Sequence, residues 1–380
     1  MSTHLTTNPV QHLAAFGQSP WLDFIRRGFI ADGSLQRLVE VDGLKGLTSN
    51  PSIFEKAMGE GSDYDDGFRA LAAGADRTPQ EIYECLAVED IQAACDVLRR
   101  VYDATHRIDG YVSLEVSPGL ALQTKETITE ARRLWAAVAR PNLMVKVPGT
   151  EAGGPAIRRL IAEGININVT LLFARSAYAA VAEAFIAGLE ERAASGHDIS
   201  GVASVASFFV SRIDTVMDRE IDRRAEAAGE DAAALRQLRG RIAIANARLA
   251  YAHYQDLVAG PRWRALRGAM PQRLLWASTG VKDKAYRDVM YVEELIGPDT
   301  VNTMPPATLD AFRDHGRPRA SLVEGVEEAR EVLATAERLG LDLDAATENL
   351  VVDGVRQFID AADRLLGAVA ARRAATPARG

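Results

Sequence analysis

The chain has 380 residues, of which 47% are hydrophobic, and a formal net charge of -8 at pH 7. That length can bury a large core, as one big α/β barrel or as two ordinary domains. The acidic balance argues against a general nucleic-acid binder, although a local basic pocket for a phosphorylated metabolite is compatible with it, and no run of about 18 apolar residues marks a membrane span.

In chain order, the opening Met-Ser-Thr-His-Leu-Thr-Thr-Asn-Pro has no basic stretch leading into an apolar one, so the reading is a cytoplasmic protein without an anchor. About the first eight residues and the tail Ala-Thr-Pro-Ala-Arg-Gly read as frayed ends. Strand-like runs fall at 19–24, 44–49, 111–116, 142–147, 165–171, 202–208, 273–278 and 300–304. Helical spacing fills 33–41, 79–105, 122–139, 151–163, 174–195, 209–228, 231–258 and 284–296, each long enough to cross back over a parallel strand. Eight such strands predict a closed (β/α)8 barrel, and the absence of a Gly- or Ser-rich linker makes residues 1–380 one domain. Further helical patterns near 307–314, 321–339 and 344–372 exceed what a minimal barrel needs and are expected to cap an opening or cover a flank. Cys85 and Cys95, in the segment 79–105, are spaced for neither redox nor zinc chemistry and read as reduced structural thiols.

The run Asn-Leu-Met-Val-Lys-Val-Pro-Gly-Thr-Glu, residues 142–151, sets one lysine inside an apolar strand. By alternation Leu143, Val145 and Val147 face one way, Met144 and Lys146 the other. In a barrel the second face points into the lumen, where loss of water favours an uncharged amine, and a neutral amine attacks carbonyls to give a Schiff base. The alternative is a lysine at the strand's end that reaches solvent or pairs with a structural carboxylate. Other polar residues sit near the C-terminal ends of strands, where such barrels carry their active sites. They are Asp23, Thr48, Asn50, Glu115, Asn168, Thr170, Ser207 and Ser278. Singly, each fits a cap or a turn. Together they supply a lysine, carboxylates that move protons, a hydroxyl relay and donors for substrate hydroxyls, which is the set Schiff-base chemistry needs.

In this order, Gly-Leu-Thr-Ser-Asn-Pro-Ser, Val-Ser-Leu-Glu-Val, Leu-Met-Val-Lys-Val-Pro, Gly-Ile-Asn-Ile-Asn-Val-Thr-Leu-Leu-Phe and Ser-Phe-Phe-Val-Ser-Arg-Ile-Asp resemble the transaldolase family, from about Asp23 to about Pro306. The resemblance implies a Schiff-base lysine on the fourth barrel strand, where Lys146 falls in the count above. It implies that Glu115 is the acid/base carboxylate, that Thr170 helps it position a catalytic water, and that Asp23 takes the C4 hydroxyl proton. Asn50 and Asn168 then hold the dihydroxyacetone unit, Ser207 stands close to the lysine, Phe209 tunes reactivity towards water, and Arg212 binds phosphate. One departure stands out. Where many members carry Ser-Phe-Arg on the seventh strand, this chain reads Trp-Ala-Ser-Thr-Gly-Val-Lys-Asp, keeping Ser278 but placing Gly280 at the arginine position. Lys282 supplies the missing charge as a point contact, without the arginine's fork, or is a surface lysine.

The implied activity is transfer of a dihydroxyacetone unit from sedoheptulose 7-phosphate or fructose 6-phosphate to an aldose phosphate, in the non-oxidative pentose phosphate pathway. Two alternatives stay open: an aldolase that releases free dihydroxyacetone from fructose 6-phosphate, and a non-catalytic barrel that binds sugar phosphates. No cofactor and no metal are expected, since the iminium is the electron sink, and neither a His-Glu-x-x-His pattern nor a dinucleotide fingerprint occurs. Partners are sugar phosphates, not nucleic acid or membrane, and the oligomeric state is open.

Overall fold

Eight strands pair in chain order into a closed barrel in the computed structural model, which describes residues 8–72, 76–227 and 229–375. They are β1 (Gln18–Asp23), β2 (Gly46–Thr48), β3 (Tyr111–Glu115), β4 (Leu143–Pro148), β5 (Ile167–Leu172), β6 (Ser204–Phe209), β7 (Arg273–Ala277) and β8 (Thr300–Met304). All pairs are parallel, and β8 closes onto β1. The helices packed around and over the barrel include α1 (Pro51–Gly59), α2 (Pro79–Ala104), α3 (Thr124–Val138), α4 (Gly153–Glu163), α5 (Arg175–Ala194), α6 (Ser211–Ala225), α7 (Ala232–Gln237), α8 (Ile242–Ala259), α9 (Pro306–His315), α10 (Val326–Arg338) and α11 (Leu343–Ala375). No helix among the described residues is long and apolar enough to cross a membrane. Of the expected frayed ends, residues 1–7 and 376–380 lie outside the described residues; Asn8 instead caps the turn Pro9–His12, accepting from Val10 N at 2.9 Å, and Ala375 ends α11.

Every expected strand is present, six of them carrying Val, Ile or Thr, and β1 (Gln-Ser-Pro-Trp-Leu-Asp) and β7 (Arg-Leu-Leu-Trp-Ala) marked instead by buried Trp and Leu. The helices depart in instructive places. The helix expected at 231–258 is broken between α7 and α8, where Gly240 adopts φ 68 and the backbone N–H groups of Gly240 and Ala243 donate to Asp218 and Asp214. The helix expected at 284–296 is reduced to one turn, Met290–Glu293, and residues 278–289 form an irregular loop tied down by side chains. The helix expected at 33–41 is a turn, Ser34–Arg37, that widens into a π-turn over Leu38–Asp42. The helix expected from 209 begins at Ser211, because Phe209 still belongs to β6, and that expected from 321 begins at Val326. In the latter case the Ser321 hydroxyl instead accepts from Ile296 N at 3.1 Å. Conversely α1 was not expected; Asn50 caps it and Pro51 occupies its first turn. Cys85 and Cys95 lie on α2 as free thiols, Cys95 fully buried.

Alternation along the paired strands sorts the lumen into levels. At the N-terminal floor Arg273 donates to Ser19 Oγ and Asp109 Oδ1, both at 2.9 Å, and Ser19 donates to Asp109 at 2.8 Å. The middle is filled by Trp21 and Tyr111, with ring centroids 6.4 Å apart, beside Met144 and Val205. The top level is polar. Outside the strands Phe208 and Trp276 meet edge to face at 6.2 Å beneath the helices. The helix α11 runs over α1, the start of α2, the 118–120 turn and the end of β5, so the expected cap closes part of the C-terminal rim. Its Gly354 comes so near that an added Cβ would lie 2.8 Å from Leu171 Cδ2.

Gly46 on β2 is required by the Trp21 ring, since a Cβ there would sit 2.3 Å from Cε2. We therefore expect Gly46→Ala to lower the thermal midpoint by roughly 5 °C or more, from overpacking in a site with no room to yield. A midpoint equal to that of the unmodified protein, measured by calorimetry at the same scan rate, would contradict this packing.

Candidate active site

The C-terminal rim gathers the polar side chains that the strands turn inward. β3, β4 and β5 run in register, so that Glu115, Lys146 and Asn168 stand side by side. Lys146 is 5% exposed and Glu115 8%, so water reaches neither freely. The Lys146 Nζ donates to the Ser49 carbonyl at 3.2 Å and lies 4.0 Å from Glu115 Oε2. Among the described residues neither oxygen of Glu115 has a hydrogen-bond partner, and nor does the hydroxyl of Thr170, two places beyond Asn168 on the same face of β5. A buried polar group left unpaired costs about 1–3 kcal/mol. Such atoms in a rim of this kind are positioned for whatever enters the barrel.

Burial pushes the Glu115 carboxyl up to about 7; Lys146 opposes the rise and Asp23 adds to it. Asp23 is likewise raised above the usual range, first by burial, against the pull of Lys146, a hydrogen bond from Thr48, and Arg212. Thr48 Oγ1 donates to Asp23 Oδ1 at 2.6 Å and shares a 2.7 Å bond with Thr303, which fixes the direction of its proton. The site thus holds an amine between two acids that both retain protons more readily than free carboxyls.

Donors and acceptors surround this trio. Asn168 Nδ2 donates to Ser113 Oγ at 2.9 Å, and Ser207 Oγ donates to Asn168 Oδ1 at 2.7 Å, so the amide is oriented from both ends. Asn50 accepts from Ile53 N at 3.0 Å through its side-chain oxygen, capping α1, while its amide N–H groups donate to none of the described residues. Phe209 packs on Phe173 at a ring separation of 5.0 Å and lies beneath the Arg212 guanidinium at 5.3 Å. Arg212, half-buried in the first turn of α6, also donates to Gln357 Oε1 of α11 at 3.2 Å. Ser278, held at φ 56, shares a 3.0 Å hydroxyl bond with Ser211 at the start of α6.

The structure therefore links Asp23, Glu115, Lys146, Asn168 and Ser207 into one cluster, sets Thr170 and Asn50 at its edge, and ranges Phe209, Arg212 and Ser278 along the α6 side. Lys282 is exposed on the 278–289 loop and makes no ion pair among the described residues. Four further participants were not singled out from the sequence: Ser49, Ser113, Thr303 and Gln357. Ser113 and Thr303 were legible, since each shares the lumen face of its strand by simple alternation. The Ser49 carbonyl and Gln357 carry no local signal, because only the closed barrel brings them to Lys146 and Arg212.

Comparison with known proteins bears on this arrangement. The sequence model of the transaldolase/fructose-6-phosphate aldolase family matches residues 20–369. The chain is 45% identical over 372 residues to transaldolase 2 of Nostoc sp. (strain PCC 7120), covering 96% of this chain and 97% of that protein. It is 48% identical over 371 residues to the transaldolase of Thermobifida fusca, covering 97% and 99%. To transaldolase 1 of Streptomyces coelicolor it is 49% identical over 367 residues, covering 96% and 94%.

The raised Glu115 carboxyl has a consequence for stability. The folded chain holds this proton more tightly than the unfolded one, so the group's contribution is fully present below pH 4.5 and is lost as pH rises through about 7. Glu115→Gln, which carries no charge to bury, is expected to melt above the unmodified protein at pH 8, by at most on the order of 3 kcal/mol. The gap should close as the pH falls towards 4.5. A gap independent of pH would mean that the carboxyl titrates normally.

Proposed function

The chain belongs to the transaldolase/fructose-6-phosphate aldolase family, and from that premise we propose how its barrel performs the transaldolase reaction. A dihydroxyacetone unit passes from sedoheptulose 7-phosphate or fructose 6-phosphate to an aldose phosphate. The observation that carries the assignment of roles is the buried Lys146 amine, 4.0 Å from a carboxylate that has no hydrogen-bond partner among the described residues.

Two buried charges so placed are costly, and moving one proton from the ammonium to Glu115 leaves two neutral groups. The neutral amine attacks the C2 ketone. Glu115, with a water positioned by the Thr170 hydroxyl, passes that proton and a second one from the attacking nitrogen to the C2 oxygen, which departs as water with the C–O electron pair and leaves an iminium on Lys146. That cation draws electrons from the C3–C4 bond. Asp23 takes the C4 hydroxyl proton, the bond breaks, and the aldose phosphate leaves. The raised proton affinity of Asp23 suits a group that must accept a proton at neutral pH.

A three-carbon enamine remains on Lys146, its hydroxyls bound by Asn50, Asn168 and Ser207. Transfer requires that this enamine meet an acceptor aldehyde before it is protonated by water. Phe209, backed by Phe173 and covered by Arg212, lines this side with apolar surface and keeps water sparse. Arg212 and Ser278 hold the phosphate of donor and acceptor, with Lys282 reaching in from its loop. The acceptor adds to the enamine carbon, the steps reverse, and a new ketose phosphate is released. The same reading makes the chain one barrel domain extended by α9, α10 and α11, working in the cytoplasm on phosphorylated sugars.

The test is turnover with defined acceptors. Lys146→Ala should lose activity by at least about a thousandfold. With fructose 6-phosphate and erythrose 4-phosphate together, the unmodified enzyme should form sedoheptulose 7-phosphate, and formation of free dihydroxyacetone should fall. Free dihydroxyacetone produced at full rate in the presence of the acceptor would instead make the protein an aldolase.

A further inference from the structure

Two of the places where the helices depart from expectation, the break between α7 and α8 and the irregular 278–289 loop, meet on one face of α6. Asp214 and Asp218 stand four residues apart on that helix, and both are buried. Each carboxylate is shared in the same way. Asp218 accepts from Gly240 N at 3.0 Å through Oδ1 and from Tyr286 Oη at 2.7 Å through Oδ2. Asp214 accepts from Ala243 N at 2.8 Å through Oδ1 and from Tyr291 Oη at 2.9 Å through Oδ2. One oxygen of each thus receives a backbone N–H from the α7–α8 junction, and the other a tyrosine hydroxyl from the segment that follows β7.

The fit is specific to this arrangement. Gly240, at φ 68, lies under the Tyr286 ring, where a Cβ would come within 2.9 Å of it. A third tie lies further out: Arg239 donates to Asp283 Oδ2 at 2.8 Å and also binds Asp222 of α6. The root of the loop is anchored in the barrel, with Thr279 Oγ1 on Asn302 Oδ1 at 3.0 Å and Ser278 on Ser211 at 3.0 Å. The arc between the root and these ties carries Gly280 and Lys282. The helix that supplies both aspartates begins with Ser211 and Arg212, so the two walls of the phosphate site named above are braced by one set of bonds.

We propose that Asp214 and Asp218, gripping Tyr291 and Tyr286, are positioning residues that hold the 278–289 loop at a fixed distance from Arg212 and so set the enzyme's preference for phosphorylated over unphosphorylated sugars. This rests on the reading of Arg212, Ser278 and Lys282 as the phosphate site. None of the four clamp residues touches the reacting carbons. Loosening the clamp displaces Lys282 and Ser278 relative to Arg212, and leaves Lys146 and Glu115, across the barrel on β4 and β3, and Asp23, held on β1 by Thr48, in place.

The experiment compares erythrose 4-phosphate with erythrose as acceptor, at saturating fructose 6-phosphate, in Tyr286→Phe and Arg239→Gln. Tyr286→Phe removes one hydroxyl and keeps the ring over Gly240. The expected result is a rise of roughly fivefold in KM for erythrose 4-phosphate, with kcat within about twofold and KM for erythrose unchanged. Arg239→Gln, which cuts only the outer tie and leaves both buried carboxylates paired, should move the same constant in the same direction by a smaller factor. A merely structural role predicts a lowered thermal midpoint with both acceptors affected alike. That result, or no change in either KM in both variants, overturns the proposal. Failure of the unmodified protein to transfer to either acceptor would instead remove the transaldolase reading on which it rests.

Discussion

A lysine and a glutamate enclosed together, with little water between them, impose the condition on which the rest of this molecule depends. At 4.0 Å, inside a packed barrel, the pair is costly as two charges and far less so as two neutral groups. Burial also lets Glu115 keep its proton up to about pH 7 beside that amine. Asp23 extends the same logic to a second acid, with Thr48, itself held by Thr303, fixing the direction from which its Oδ1 receives a hydrogen bond. The chemistry assigned to this site needs no group with unusual intrinsic properties. It needs ordinary side chains deprived of solvent in a fixed geometry.

That geometry follows from strand register. Glu115, Lys146 and Asn168 are neighbours because β3, β4 and β5 pair in step, and a slip of one residue would turn Lys146 out among the helices. Register is held from below by packing: Trp21 occupies the space that Gly46 vacates, and the Arg273–Asp109–Ser19 network closes the floor. It is held from above by the rim, where α11 lies over α1 and binds Arg212 through Gln357. Stability and function therefore draw on the same contacts at different heights of the barrel.

The barrel and its lysine were legible in the sequence because both are written in short-range patterns. Alternating apolar residues mark each strand, and a lone Lys146 interrupting one of them marks the lumen. Asp23, Glu115, Asn168 and Ser207 were legible for a related reason, since polar residues on an inward face demand an explanation. What escaped was set by distant partners. The break at Gly240 and the unwound 284–289 segment look helical residue by residue, and only the carboxylates of Asp214 and Asp218, more than twenty residues upstream, decide otherwise. Asn50 shows a third case, in which the residue that caps α1 through its side-chain oxygen is also the one proposed to bind substrate through the other end of the same amide. Lys282, exposed on its loop and without an ion pair among the described residues, is where pattern has least to say.

The measurement that tests the central claim most directly is reduction with borohydride in the presence of fructose 6-phosphate, followed by peptide mapping. A three-carbon adduct on the peptide containing Lys146, and on no other lysine, is the predicted result. Continued turnover with that peptide unaltered, or an adduct on a different lysine, would contradict the account.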